Sequence, residues 1–151
     1  MSASDFSVTL NKQLFSLGDK WDDQAQKQAG SQLSESFVGD VPSGDSSYKY
    51  YQHNYTGYEI YTANLFWEKE HRDVDTYIIA QISLDAPGIN TSRGVSVGDA
   101  QSKLIKQYGK GMVDDSDGQH WLYYDGDGKR ISFQIENDKV SHIIMVFNLD
   151  N

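Results

Sequence analysis

A chain of 151 residues with 38% hydrophobic content suits one domain, 1–151, with a sizeable core. Its 22 acidic against 13 basic side chains, a formal charge of -9, argue against nucleic acid and anionic membrane surfaces, which both repel an acidic partner. It has no cysteine, which removes thiolate metal sites, thiol nucleophiles and disulfides, and no apolar run that would make a transmembrane segment.

Phe6, Val8 and Leu10 alternate with polar residues as in a half-buried strand, and Asn11-Lys12 turns it into a partner strand ending at Leu17. Gly18-Asp19 closes this hairpin. Asp19 is suited to cap a short helix over residues 20–29, with Asp22 and Asp23 in the first turn, where the helix dipole favours negative charge. Gly30 stops it. Residues 34–47, rich in Ser, Gly and Asp and containing Pro42, read as a loop. Strands follow over 48–55, over 58–67 after a Thr56-Gly57 turn, and over 76–84 after a charged connection. Ala86-Pro87-Gly88 ends the last of these. Gly98-Asp99 caps a second helix, about 100–108, with Leu104, Ile105 and Tyr108 on one apolar face and Gly109 at its end. Residues 110–119 form an acidic loop. Strands over 120–124, 130–135 and 140–149 are joined by Asp125-Gly126-Asp127-Gly128 and by Asn137-Asp138-Lys139, residue types that tolerate a left-handed backbone.

One segment occurs twice. Phe15-Ser16-Leu17-Gly18-Asp19 leads to Lys27-Gln28-Ala29-Gly30, and Val95-Ser96-Val97-Gly98-Asp99 leads to Lys106-Gln107-Tyr108-Gly109. A second echo sets residues 76–84 against 141–149, in the same order. Tyr50 then falls on Trp121 and Tyr51 on Leu122, with longer connections in the first half and one residue skipped within the helices. The expected fold class is α+β: two tandem repeats, about 6–86 and 90–151, each a helix and three antiparallel strands. Together they form one curved sheet with two short helices on one face.

Strand parity separates the faces. Ile78, Ala80, Ile82 and Leu84, matched by Ile143, Met145, Phe147 and Leu149, form the register expected beneath the helices. Tyr77, Ile79, Gln81 and Ser83, matched by His142, Ile144, Val146 and Asn148, face the other way. The tyrosines between Tyr48 and Tyr61 exceed what one covered face can take. Some rings must therefore point outward, either as cross-strand ladders or as the rigid anchors that binding surfaces favour.

The Gly-Asp helix start, the Tyr108-Gly109 exit and the segment from Thr91 to Asp99 resemble secreted proteins and lipoproteins of Gram-positive bacteria. The duplicated helix-plus-sheet plan resembles that of beta-lactamase inhibitor proteins, whose two repeats make one continuous sheet with helices on its convex side. Those inhibitors carry disulfides, this chain has none, and no inhibitory loop matches residue by residue. The resemblance implies the fold and a binding role, not beta-lactamase as target. It also implies an extracellular or cell-envelope location. Residues 1–5 lack the basic and apolar regions of a signal peptide and read as a start residue joined to a mature sequence, so a signal or lipid anchor is expected to have been removed.

No Gly-x-Ser-x-Gly elbow and no phosphate-binding glycine loop is present, and no cofactor is expected. His53, His120 and His142 sit on strands that a shared sheet would let approach one another, but single histidines on half-exposed strands are the plainer reading, and no metal is assigned. Asp114-Asp115-Ser116-Asp117 and Asp125-Gly126-Asp127 offer oxygen ligands without completing a calcium loop. Glu59, Glu68, Glu70 and Asp73 do not by spacing alone make a glycosidase pair. The expectation is a non-enzymatic binding module. Its open sheet face would carry Tyr50, Tyr51, Tyr61, Tyr77, Trp121, Tyr123 and His142, with Trp67 near an edge, and meet a protein partner. The alternative is a glycan stacked on the same rings.

Overall fold

The computed structural model describes residues 1–148. They form a mixed α+β structure with two sheets of antiparallel strands and two α-helices. After a short 3-10 turn, β1 (Ser7–Leu10) and β2 (Gln13–Ser16) make the expected hairpin, with Asn11 and Lys12 both at positive φ in its turn. α1 (Asp23–Gln28) leads into β3 (Ser34–Ser43), β4 (Ser46–Tyr55), β5 (Tyr58–Ala63) and β6 (Ile78–Leu84). α2 (Gln101–Tyr108) leads into β7 (Met112–Asp114), β8 (His120–Gly126), β9 (Lys129–Glu136) and β10 (Lys139–Phe147). The eight strands after the helices form one sheet in the order β3-β4-β5-β6-β10-β9-β8-β7, so each helix precedes four strands and β6 meets β10 at the centre.

Two segments read as loops are therefore edge strands, β3 within 34–47 and β7 within 110–119. An edge strand has one wet side and needs no apolar alternation; it tolerates Pro42, and a bulge between Phe37 and Gly39 twists it. The strand read over 58–67 ends at Ala63. Leu149 lies outside the described residues.

Neither Asp19 nor Asp99 caps a helix. The cap of α1 is Asp22, whose carboxylate accepts from the Ala25 N–H at 2.9 Å, and the cap position of α2 is Ala100. Asp19 and Asp99 instead close the turns before the helices. Ser16 N–H donates to Asp19 Oδ2 at 2.9 Å, and Ser96 N–H to Asp99 Oδ2 at 2.8 Å. Each turn then docks on the start of a long strand. Gly18 N–H donates to the Ile79 carbonyl at 2.8 Å and Ile79 N–H to the Asp19 carbonyl at 2.8 Å. Gly98 and Val140 exchange the same bonds, with Gly98 donating at 2.7 Å and Val140 donating to the Asp99 carbonyl at 2.8 Å. Gly18 and Gly98 adopt φ of 92° and 97°, a backbone that strains any residue with a Cβ.

A bulge follows each docking point. Ala80 has no partner across β5, and Ser141 has none across β9. The first bulge changes the expected parity of β6. Ile79, Ile82 and Leu84 join the main core with Ile60, Ile131, Phe133, Ile143 and Met145, while Ile78 and Ala80 turn to the opposite face. Ile79, expected outward, is fully buried.

The main core is covered less by helices than the pattern suggests. Phe6, Val8, Leu10, Phe15 and Leu17 from the first hairpin supply much of the cover, α2 adds Leu104 and Tyr108, and α1 contributes only the partly buried Ala25, with Ala29 beyond its end. Ile105, expected on the apolar face of α2, is 43% exposed. On the far side of the sheet Tyr48, Ala63, Leu65, Ile78 and Ala80 form a second, smaller cluster, against which Phe66 and Trp67 pack.

Candidate functional site

Alternation along paired strands fixes which rings share a face. Tyr50 pairs with Ala63, and Tyr61 with Gln81, which in turn faces Val146. This face lies opposite the main core and bears no helix. Here Tyr50, Tyr61, Ala80, Gln81, Val146 and Phe147, with Val38 and Val41 of the edge strand, line a predominantly apolar groove of about 300 Å³. Trp121 and Tyr123 stand on the same face of β8, opposite Gln134 and Ser132. The Arg130 guanidinium stacks 4.0 Å from the Tyr123 ring centroid and forks onto Asp125 at 2.7 and 3.0 Å.

His142 is also here. Its Nε2 lies 2.5 Å from Asp85 Oδ1, and Asp85 in turn pairs with Glu59. A hydrogen bond with Asp85, then burial, then the Asp85 charge push the Glu59 carboxyl up to about 7. Because the folded value lies above the unfolded one, Glu59 contributes stability that is full below about pH 4.5 and lost as pH rises through about 7. Glu59→Gln should match wild type near pH 4.5 and exceed it at pH 8. Solvent screening limits the gain to roughly 1 kcal/mol, about 2–4 °C in midpoint. Thermal unfolding at the two pH values checks this, and a gap that does not change with pH contradicts the shared proton.

Tyr51 and Tyr77, expected on the open face, lie elsewhere, whereas Trp67 stays on the open side of the sheet. Trp67 packs against the second cluster, where Asn64 to Phe66 fold the chain back over the sheet. Tyr51 and Tyr77 are on the helix side, ring to ring at 5.5 Å with planes 71° apart. Adjacent residues of β4 point to opposite faces, so Tyr50 and Tyr51 cannot share one, and the bulge at Ala80 carries Tyr77 across with Ile79.

Tyr51 and Tyr77 line a cleft of about 320 Å³ together with Trp21, His53, Glu35 and Asp75. His53 is buried. Its Nδ1 is 2.8 Å from Gln32 Oε1 and 3.0 Å from Glu35 Oε1, and its Nε2 is 2.9 Å from Thr62 Oγ1. Two acceptors at Nδ1 and a hydroxyl at Nε2 suit a neutral ring protonated on Nδ1, and burial lowers its pKa against the pull of Glu35. Trp21 stacks obliquely on this ring at 5.0 Å. Read as part of a helix, Trp21 carried no site signal; it follows a short bridge between Lys20 and Ile78, and that bridge turns it into the cleft.

The three strand histidines do not meet. His53 lies under the helix side, His142 on the open face, and His120 pairs with Asp115. The Asp-rich loops use their oxygens internally: Asp114 accepts from the Ser116 amide and hydroxyl at 3.0 and 2.7 Å, and Asp127 pairs with Lys129 at 2.8 Å. Among the described residues no helix is long and apolar enough to cross a membrane. Comparison with protein-family models, with curated proteins and with solved structures found no match to this chain.

Proposed function

We propose that the protein is a non-catalytic binding module that takes a protein partner on its open sheet face, centred on the groove between Tyr50, Tyr61 and Val146. The observation that carries this reading is the groove itself: apolar, flanked by half-buried tyrosines, and on a face that no helix covers. Tyrosine rings are rigid and amphipathic, so burying them against a partner gains area at small entropic cost. Trp121, Tyr123 and His142 extend the same face across the second set of strands.

The proposal includes two tandem repeats in one curved sheet, on the plan of the beta-lactamase inhibitor proteins. Three features support it: the matched Ser-x-Gly-Asp turns, the matched docking bonds and the bulge one residue beyond each. These bonds set Ile79 against Val140, four residues before the Ile144 suggested by the sequence echo. A secreted or cell-envelope location is part of the same reading and rests on the sequence resemblance.

Replacing Tyr50 and Tyr61 with alanine should weaken capture of the partner from envelope extracts by roughly thirtyfold or more, the scale of one interfacial hot spot. Circular dichroism would verify the fold. Undiminished capture would remove this face from consideration, and a positive glycan array lost in the same variant would replace the protein partner with a sugar.

A further inference from the structure

The cleft on the helix side brings rings and carboxylates together on the face opposite the groove. Trp21, Tyr51 and Tyr77 bring three rings to one opening, two of them nearly perpendicular. Glu35 and Asp75 stand at it as carboxylates, and no Lys or Arg lines it. His53 adds no positive charge, because its burial favours the neutral ring. The cleft is thus a place of negative potential with aromatic faces, in a protein that is acidic as a whole. Trp21 is only 8% exposed and its indole N–H is closed to solvent, so the residue stands as a wall of the cleft rather than as a donor into it.

We propose that this cleft binds a small organic ammonium compound. Ring faces attract a cation through their quadrupoles, more strongly when the cation is desolvated, and two carboxylates at the opening add long-range attraction. The volume, about 320 Å³, lies in the range of small-ligand sites.

The three tryptophans make the test direct, since Trp21 lines the cleft while Trp67 and Trp121 lie on the far side of the sheet. Choline, tetramethylammonium and the uncharged choline isostere 3,3-dimethylbutan-1-ol are titrated at constant ionic strength, and the indole N–H resonances are followed by NMR. Choline should shift the Trp21 resonance saturably and leave the other two in place. The uncharged isostere should bind about tenfold more weakly, and tetramethylammonium should bind about as well as choline. The double variant Glu35→Gln, Asp75→Asn keeps the shape of the cleft and should weaken choline by about tenfold. The proposal is overturned if Trp21 does not respond in the folded wild-type protein, if the isostere binds as well as choline, or if all three indoles move together. A response to glucose without one to choline also overturns it.

Discussion

Ile79→Ala should cost about 2–5 kcal/mol of stability, as much as Ile82→Ala and far more than Ile144→Ala. Plain alternation from Ile78 to Leu84 would place Ile79 with Ile144 on the open face, where losing three carbons costs little. The bulge at Ala80 reverses this. Ile79 is fully buried in the main core beside Ile82, and its amide holds the Asp19 carbonyl at 2.8 Å. The side chain sits where the first Ser-x-Gly-Asp turn docks, so the cavity cannot collapse without moving that turn. Urea denaturation of the three variants measures the order. A loss below about 1 kcal/mol at Ile79, similar to that at Ile144, would mean that the strand runs without the bulge.

Arg93→Met should cost about 1–3 kcal/mol, more than an ordinary surface ion pair and less than a fully buried one. The Arg93 guanidinium meets both oxygens of Asp5, Nε to Oδ1 at 2.7 Å and Nη2 to Oδ2 at 3.2 Å. It also donates to the Gln107 carbonyl at 3.3 Å and lies 5.1 Å from the Tyr108 ring centroid. One side chain thereby ties the first 3-10 turn to the connector between the two sets of strands and to the end of α2. Asp5 is buried, whereas the Arg93 side chain is 35% exposed, which sets the discount from the buried limit. The hydrogen bond from Arg93 holds the Asp5 carboxyl below the usual value of 3.8. A depressed folded value makes the contribution present above about pH 3.8 and lost as pH falls through the folded value. The gap between wild type and variant should accordingly be full at pH 7 and shrink in acid. A gap independent of pH would assign the loss to packing of the Arg93 stem rather than to its charge.

The sequence made some elements plain and hid others for identifiable reasons. The strands with one dry face were legible because alternation is what such a face demands, as in Ile131, Phe133 and Ile135. The first hairpin was legible from Phe6, Val8 and Leu10 around Asn11-Lys12. The edge strands were not, because Ser34 to Ser43 and Met112 to Asp114 meet solvent on a free side and carry loop-like composition. Asp19 and Asp99 looked like caps because a turn-closing carboxylate and a cap carboxylate both precede a helix and both accept from a nearby amide.

The aromatic surplus was legible as a surplus, but its division was not. A bulge of one residue exchanges faces for everything before it, and no residue type announces it at Ala80. Tyr50, Tyr61, Trp121, Tyr123 and His142 consequently lie where alternation puts them, while Tyr51 and Tyr77 line a cleft on the other side. Trp21 and His53 complete that cleft through contacts that only the folded chain brings together.

Site-specific photo-crosslinking distinguishes the open face from the helix side, with the photoreactive residue at Gln81 in the groove, at Gln26 in the cleft, or at Ser102 on α2. If the open face receives the partner, the position 81 probe alone should capture a discrete protein from envelope material, and Tyr61→Ala should abolish that product. Capture from position 26 or 102 with silence at position 81 would contradict the account and move the binding surface to the helix side.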